Sequence, residues 1–280
     1  MAVDWEDAQE ELVTKTTDVL IDGDVILHGA LPNRWGSVYD GPEKQFTPEE
    51  DKKYLLDGLL NLDIIIRQLS ETLYADTVKI AVKGKDNFRY KVWPAYKAHR
   101  SKNVRPVQVY VNLLKECIVS RHGAIEANGM EADDLLAMWH KESTDAGRHP
   151  IIVSVDKDLL CLPGTHYRLS KGTCYGPESR DITRLVEIPL FNAQYFYHKQ
   201  LLMGDSTDGI PGLAGIGPKR AEAILAECKT LADLQFMVCY SYKQLIGEKW
   251  KEALIITGKL ITLMPYKGFE FNLEGWNGAT

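Results

Sequence analysis

Long apolar runs, paired cysteines and a surplus of positive charge are all missing from this chain of 280 residues. No stretch approaches the roughly 18 to 20 apolar residues that a membrane-spanning helix needs. Residues 1–11 are acidic, where a secretory leader would carry a basic region and then an apolar one. Neither a membrane location nor secretion is expected. The five cysteines, Cys117, Cys161, Cys174, Cys228 and Cys239, are scattered and never spaced as CxxC. That excludes a disulfide framework and a cysteine zinc site, and it fits a reducing cytoplasm. Internal repeats and low-complexity segments are absent too. What remains, 45% hydrophobic and 26% charged residues, suffices for the core of one large domain or two smaller ones. The net charge of -6 would argue against a polyanionic partner only if it were evenly spread.

It is not evenly spread. Acids gather in four short clusters: Ile21-Asp22-Gly23-Asp24, Gly129-Met130-Glu131-Ala132-Asp133-Asp134, Ser154-Val155-Asp156-Lys157-Asp158 and Met203-Gly204-Asp205-Ser206-Thr207-Asp208-Gly209. Carboxylates this close repel one another unless something positive sits among them, and hard divalent ions such as Mg²⁺ or Mn²⁺ prefer oxygen ligands. Each cluster stands where a strand or helix should begin or end. Val19-Leu20-Ile21, residues 77–82 and residues 151–155 are short apolar runs typical of buried parallel strands. Thr47-Pro48-Glu49-Glu50 announces a helix with Thr47 as N-cap and Glu50 at the capping-box position, its apolar face continuing through Leu55, Leu59, Leu62, Ile66 and Leu69. Further helices are predicted over 106–121, 130–141 and 189–203. Strands alternating with helices predict a doubly wound α/β sheet, which binds ligands at the carboxyl ends of its strands. Asp22 and Asp156 stand at such ends. Within the 130–141 helix, Glu131 and Asp134 share a face at i, i+3 and Asp133 points elsewhere, acting through a different ion or through water. Acids also favour helix N-termini for dipole reasons, so part of that signal needs no metal.

Residues 83–105 are the opposite in charge. Lys83, Lys85, Arg89, Lys91, Lys97, Arg100, Lys102 and Arg105 face a single acid, Asp86, and are interleaved with Phe88, Tyr90, Trp93 and Tyr96. Basic groups neutralise phosphates and aromatic rings stack on unpaired bases. A second phosphate device follows in Gly212-Leu213-Ala214-Gly215-Ile216-Gly217, ahead of a helix predicted over 218–228. Its glycines admit close approach, the helix N-terminus offers free N–H groups, and Lys219 and Arg220 add charge. From there to about residue 264 the chain reads as mainly helical.

Taken in order, these segments resemble the 5′-nucleases: bacteriophage 5′→3′ exonucleases, flap endonucleases and the N-terminal nuclease domain of bacterial DNA polymerase I. The matching residues are Ile21-Asp22-Gly23, Asn87-Phe88-Arg89, Tyr96-Lys97-Ala98-His99-Arg100, the Glu131, Asp156 and Asp205 clusters, and Gly215-Ile216-Gly217-Pro218-Lys219-Arg220-Ala221. The resemblance implies a PIN-like core over 1–188, with 83–105 as a basic arch for single-stranded DNA. Residues 189–280 would form a helical DNA-binding module containing a helical hairpin. It implies cleavage near the 5′ ends of branched or nicked DNA, with an RNA–DNA hybrid as a further candidate substrate, by a monomer in the cytoplasm. By motif position, Asp22, Glu131 and Asp133 would hold one ion with Asp134 nearby, and Asp156, Asp158, Asp205 and Asp208 a second. Two such ions about 3.5–4 Å apart assist in-line displacement at phosphate. Lys97 and Arg89 would steady the scissile phosphate; Lys83, Lys85, Lys91, Tyr96 and Arg100 would line the arch. Gly215, Gly217, Lys219 and Arg220 would hold duplex phosphates, with K⁺ as a candidate ion at the hairpin.

One departure stands out. The family usually has an aspartate shortly after the second strand, where this chain reads Ala81-Val82-Lys83-Gly84-Lys85-Asp86. Either Asp86 swings in, or the first ion has one ligand fewer, or Lys83 or Lys85 replaces an ion's charge. Two rival readings follow. Asp22-Gly23-Asp24-Val25 resembles the nucleophile motif of haloacid-dehalogenase-type phosphatases, but that leaves the Glu131 cluster, the basic segment and the glycine turn unused. A non-catalytic DNA-structure-binding protein would account for the lost aspartate, but not for retention of the other acids.

Overall fold

The computed structural model describes residues 16–31, 47–99, 107–169 and 184–279. Six strands form one sheet in the order β3-β2-β1-β4-β5-β6: β1 (Thr17–Asp22), β2 (Thr77–Lys83), β3 (Ile125–Ala127), β4 (His149–Ser154), β5 (Gly164–Arg168) and β6 (Arg184–Ile188). All neighbours are parallel except β5 and β6. The centre of the sheet follows from the composition of β1. Val19, Leu20 and Ile21 are wholly buried, which suits a strand covered on both faces. Val19 and Ile21 pack with α1 (Gly23–Ala30), α2 (Pro48–Thr72) and α4 (Val107–His122), and Leu20 packs on the other face with α5 (Ala132–Asp145). Each such aliphatic side chain contributes about 1.5–3 kcal/mol of burial free energy.

Because β2 lies on one side of β1 and β4 on the other, the order in which strands are added reverses between β1 and β4. That opens a crevice at their carboxyl ends, the place where doubly wound sheets take ligands. The expected capping box forms: Thr47 Oγ1 accepts from the Glu50 N–H at 3.3 Å and Glu50 accepts from the Thr47 N–H at 2.9 Å. The 130–141 helix instead starts at Ala132, with Glu131 as its N-cap, and runs to Asp145. Helix α1 and strands β3, β5 and β6 had no periodic signal; β3 has only 3 residues, too few to show one.

The basic segment runs from Lys83 at the end of β2 through a short helix, α3 (Arg89–Val92), into turns; Arg100, Lys102 and Arg105 lie outside the described residues. After β6 come α6 (Leu190–Met203), α7 (Pro218–Leu225), α8 (Leu231–Ile246) and α9 (Trp250–Ile261). They enclose a further cluster of buried apolar side chains, which also takes in Tyr96. Among the described residues, no helix is long and apolar enough to cross a membrane.

Candidate active site

Ser154 ties the two central strand ends together. Its hydroxyl donates to Asp22 Oδ2 at 2.7 Å and accepts from the Asp156 N–H at 2.9 Å. Asp156 Oδ1 accepts from the Asp158 N–H at 2.9 Å, and Asp158 Oδ1 accepts from Gln200 Nε2 of α6 at 2.7 Å. The last acidic cluster is carried by a loop folded back on itself through the Asp205–Ile210 bridge. Gly204 makes that fold possible: its φ is 66°, and a Cβ there would meet the Ile210 carbonyl oxygen at 2.4 Å. Asp205 Oδ1 accepts from the Thr207 N–H at 2.7 Å, and Lys157 Nζ donates to Oδ2 at 3.3 Å.

Helix α5 supplies the remaining acids, with the roles of two of them exchanged relative to the helical-face expectation. Asp133 faces the cluster: burial first, then Asp22, Asp156 and Glu131, raise its carboxyl well above the usual range. Asp134 turns inward and is wholly buried. It accepts from Arg89 through both oxygens at 2.5 and 2.9 Å, from the Glu131 N–H at 2.9 Å and from the Met264 N–H at 3.1 Å. Four bonds occupy the acceptor positions of a carboxylate, so Asp134 has none to give an ion. Arg89, only 1% exposed, also donates to the carbonyls of Leu260 at 2.8 Å and Thr262 at 3.1 Å. Its expected contact with a scissile phosphate is therefore corrected: the guanidinium is spent on joining the start of α5 to the end of α9. Tyr96 is corrected likewise. It is buried, and its hydroxyl donates to Glu131 Oε2 at 2.9 Å, so its ring is not free to stack on a base.

Lys97 stands between two of the acidic motifs. At φ 53°, its N–H donates to the Asp208 carbonyl at 2.7 Å, and its ammonium pairs with Glu131 and, at 3.3 Å, with Asp208. Burial pushes Glu131 up, but Lys97 and Arg89 outweigh it and hold the carboxyl below its usual range. Elsewhere repulsion wins. Asp22 is raised to about 7, by burial and then by Asp24 and Asp156, despite the Ser154 bond. Asp158 is raised to about 6 by burial and then by Asp156, Asp205 and Asp208, against Lys157.

Bonds and ion pairs join these segments: Ser154 links Asp22 to the Asp156 N–H, Lys157 pairs with Asp158 at 3.6 Å and Asp205 at 3.3 Å, and Lys97 pairs with Glu131 and Asp208. As the side chains stand, no three metal-binding groups among the described residues enclose an ion position. Lys97 and Lys157 supply local positive charge instead. The donor set itself, all carboxylate oxygen and self-repelling, fits hard divalent cations. Ser154, Lys157 and Gln200 belong to this network and had no assigned role; Ser154 and Lys157 lie inside a quoted motif, whereas Gln200 gave no sequence signal.

Lys83, Lys85 and Lys91 are exposed. Gly215 has φ 75°, Gly217 is the N-cap of α7, and Lys219 and Arg220 are exposed, Arg220 donating to the Gly215 carbonyl at 2.9 Å.

Comparison with known proteins places the family and the fold. Residues 55–187 match the family model of the 5′-3′ exonuclease N-terminal resolvase-like domain. A flap endonuclease Xni of Shewanella sp. (strain ANA-3) is 32% identical over 188 residues, covering 67% of this chain and 69% of that one. DNA polymerase I of Treponema pallidum is 34% identical over 206 residues, covering 67% of this chain and 19% of the polymerase; this chain thus spans about a fifth of that relative's length. The bacteriophage T5 flap endonuclease, crystallised with DNA and metal ions, superimposes with a TM-score of 0.61 at 20% identity over 89% of both chains. That likeness concerns the fold, a PIN-like, mainly parallel sheet with a helical module. The chain belongs to the 5′-3′ exonuclease and flap endonuclease family. The phosphatase reading falls with that membership.

Proposed function

We propose that the chain is a divalent-metal-dependent, structure-specific 5′-nuclease that hydrolyses DNA phosphodiester bonds at or near 5′ ends, as a 5′→3′ exonuclease, a flap endonuclease or both. The observation that supports this reading is the set of bonds that gathers acids from four distant segments where the strand order reverses: Ser154 joins Asp22 to the Asp156 N–H, Lys157 pairs with Asp158 and Asp205, and Lys97 pairs with Glu131 and Asp208. Asp22, Glu131 and Asp133 would hold one Mg²⁺ or Mn²⁺, and Asp156, Asp158, Asp205 and Asp208 a second. When bound, such ions supply a more acidic water and neutralise charge developing on the phosphate. Ser154 and Gln200 hold Asp22 and Asp158 in place. Lys97, between Glu131 and Asp208, orients a phosphate oxygen against the acids.

Residues 1–188 would act as the nuclease core and 189–280 as the DNA-binding module. Lys83, Lys85 and Lys91 would track a single strand, while Gly215, Gly217, Lys219 and Arg220 would grip duplex phosphates. K⁺ is a candidate ion at that hairpin. The substrate class is DNA with a 5′ end, flap or nick, an RNA–DNA hybrid being a second candidate, and the acting form a cytoplasmic monomer.

The test is cleavage of 5′-end-labelled flap DNA with Mg²⁺, Mn²⁺ or EDTA, beside a linear duplex. Metal-dependent release of short 5′ products is expected. Asp205→Ala should lower turnover by about 10³-fold or more, the scale of losing a preorganised charge-stabilising group, while flap binding persists. Unchanged turnover in Asp205→Ala would remove the site assignment, and cleavage in EDTA would remove the metal.

A further inference from the structure

Three consecutive carbonyls of the last acidic loop, those of Thr207, Asp208 and Gly209, all accept from the basic segment. His99 Nε2 donates to the first at 2.8 Å, the Lys97 backbone N–H to the second at 2.7 Å, and Trp93 Nε1 to the third at 3.0 Å. Gly209, at φ 67°, lets the two chains touch: a Cβ there would meet the Ala95 carbonyl oxygen at 2.7 Å. The loop that carries Asp205 and Asp208 is thus laid along residues 93–99.

Trp93 is the fixed end of this seam. Its backbone N–H donates to the Arg89 carbonyl at 2.9 Å, closing α3, and Arg89 is locked to α5 and α9. The indole packs against the buried apolar cluster of the helical module, and its single donor goes to Gly209, the residue directly after Asp208. His99, by contrast, is exposed, and the Lys97 bond is a backbone one that side-chain substitution leaves in place. A shift of the Gly209 carbonyl moves Asp208, the acid that Lys97 holds at 3.3 Å while it pairs with Glu131.

We infer that Trp93 is a positioning residue for the nuclease site: its indole N–H sets the Asp205–Asp208 loop against Lys97, in place of stacking on a DNA base. This rests on the nuclease reading and goes beyond it, giving an aromatic of the basic segment a role that acts through the backbone of the acidic loop.

Trp93→Phe separates the two roles, because phenylalanine can still stack on a base but has no N–H. Benzothienylalanine at position 93, which matches the indole in shape and also lacks the N–H, controls for the change in volume. Hydrogen–deuterium exchange of the full chain without DNA should be about fivefold faster in both variants at the amides of Lys97, Asp205 and Ile210, which bond within the seam and the loop. Single-turnover cleavage of flap DNA in Mg²⁺ should slow by about tenfold or more, with flap affinity unchanged. Tyr242→Phe, which removes a bond of the same kind to the Leu201 carbonyl at 2.7 Å, should cleave like the parent protein. Parent-like exchange or parent-like cleavage in both Trp93 variants, weakened flap binding in place of slower cleavage, or equal slowing in Tyr242→Phe would overturn the inference while leaving the nuclease reading intact. A parent protein inert in both Mg²⁺ and Mn²⁺ would overturn the nuclease reading, and this role with it.

Discussion

Arg89 and Lys97 come from one basic segment, eight residues apart, and end in different worlds. Arg89 is locked in the interior by Asp134 and the carbonyls of Leu260 and Thr262. Lys97 borders the crevice, holding Glu131 and Asp208, acids from separate motifs. Both pair with carboxylates, so charge alone does not separate structure from chemistry. Saturation does. The guanidinium has a planar fork of donors that suits a bidentate partner, and the interior fills it. The ammonium is a compact charge on a flexible stem, able to leave one oxygen for another when a phosphate arrives. The same contrast divides adjacent Asp134, with all its acceptor positions used, from Asp133, raised by the acids around it.

Removing Arg89 should have the largest effect. Arg89→Ala leaves Asp134 buried without its partner, a change that costs about 3–5 kcal/mol, and urea denaturation should show a loss of that size. A loss under about 1 kcal/mol with cleavage abolished would return Arg89 to the phosphate and break the comparison. Lys97→Ala should do the reverse. Folding stability should fall less than in Arg89→Ala, because Lys97, Glu131 and Asp208 keep 13–22% of their side-chain surface in solvent, while single-turnover cleavage slows by about 10²-fold; a stability loss matching Arg89→Ala would make the two residues alike.

The last effect is in pH, and its sign is fixed by the raised acids. Asp22, at about 7, and Asp158, at about 6, bind protons more tightly folded than unfolded. Their stabilising contribution is present below about pH 4 and lost as pH rises towards 7. His166 and His198, pushed down to about 4 chiefly by burial, run the other way: their contribution is present above about pH 6.5 and lost on acidification. Only the acids face an added cation. The Mg²⁺-induced rise in melting temperature should therefore grow between about pH 5 and pH 8, towards the ~2.7 kcal/mol of a site held at 100 times its Kd. A rise independent of pH would place Mg²⁺ elsewhere.

Much of this was legible in advance. The apolar run before Asp22, the capping box at Thr47 and the order of the acidic motifs depend on neighbours in the chain, and local pattern reports such neighbours directly. The short β3 was not legible, because three residues carry no period. The inward turn of Asp134 was also hidden, since its partners, Arg89 and Met264, lie 45 and 130 positions away. Helical spacing paired Glu131 with Asp134 because it assumes a continuous helix; with Glu131 as the N-cap, Asp134 is drawn back to its N–H and into the protein.

By itself the sequence determined the family, the doubly wound class and which acids were available, because strand burial, capping and motif order are written in adjacent residues. Only the tertiary structure decided which of those charges remain free to act. That choice depends on which donors and acceptors the fold brings together across long separations, and on whether they leave a carboxylate with any position still open.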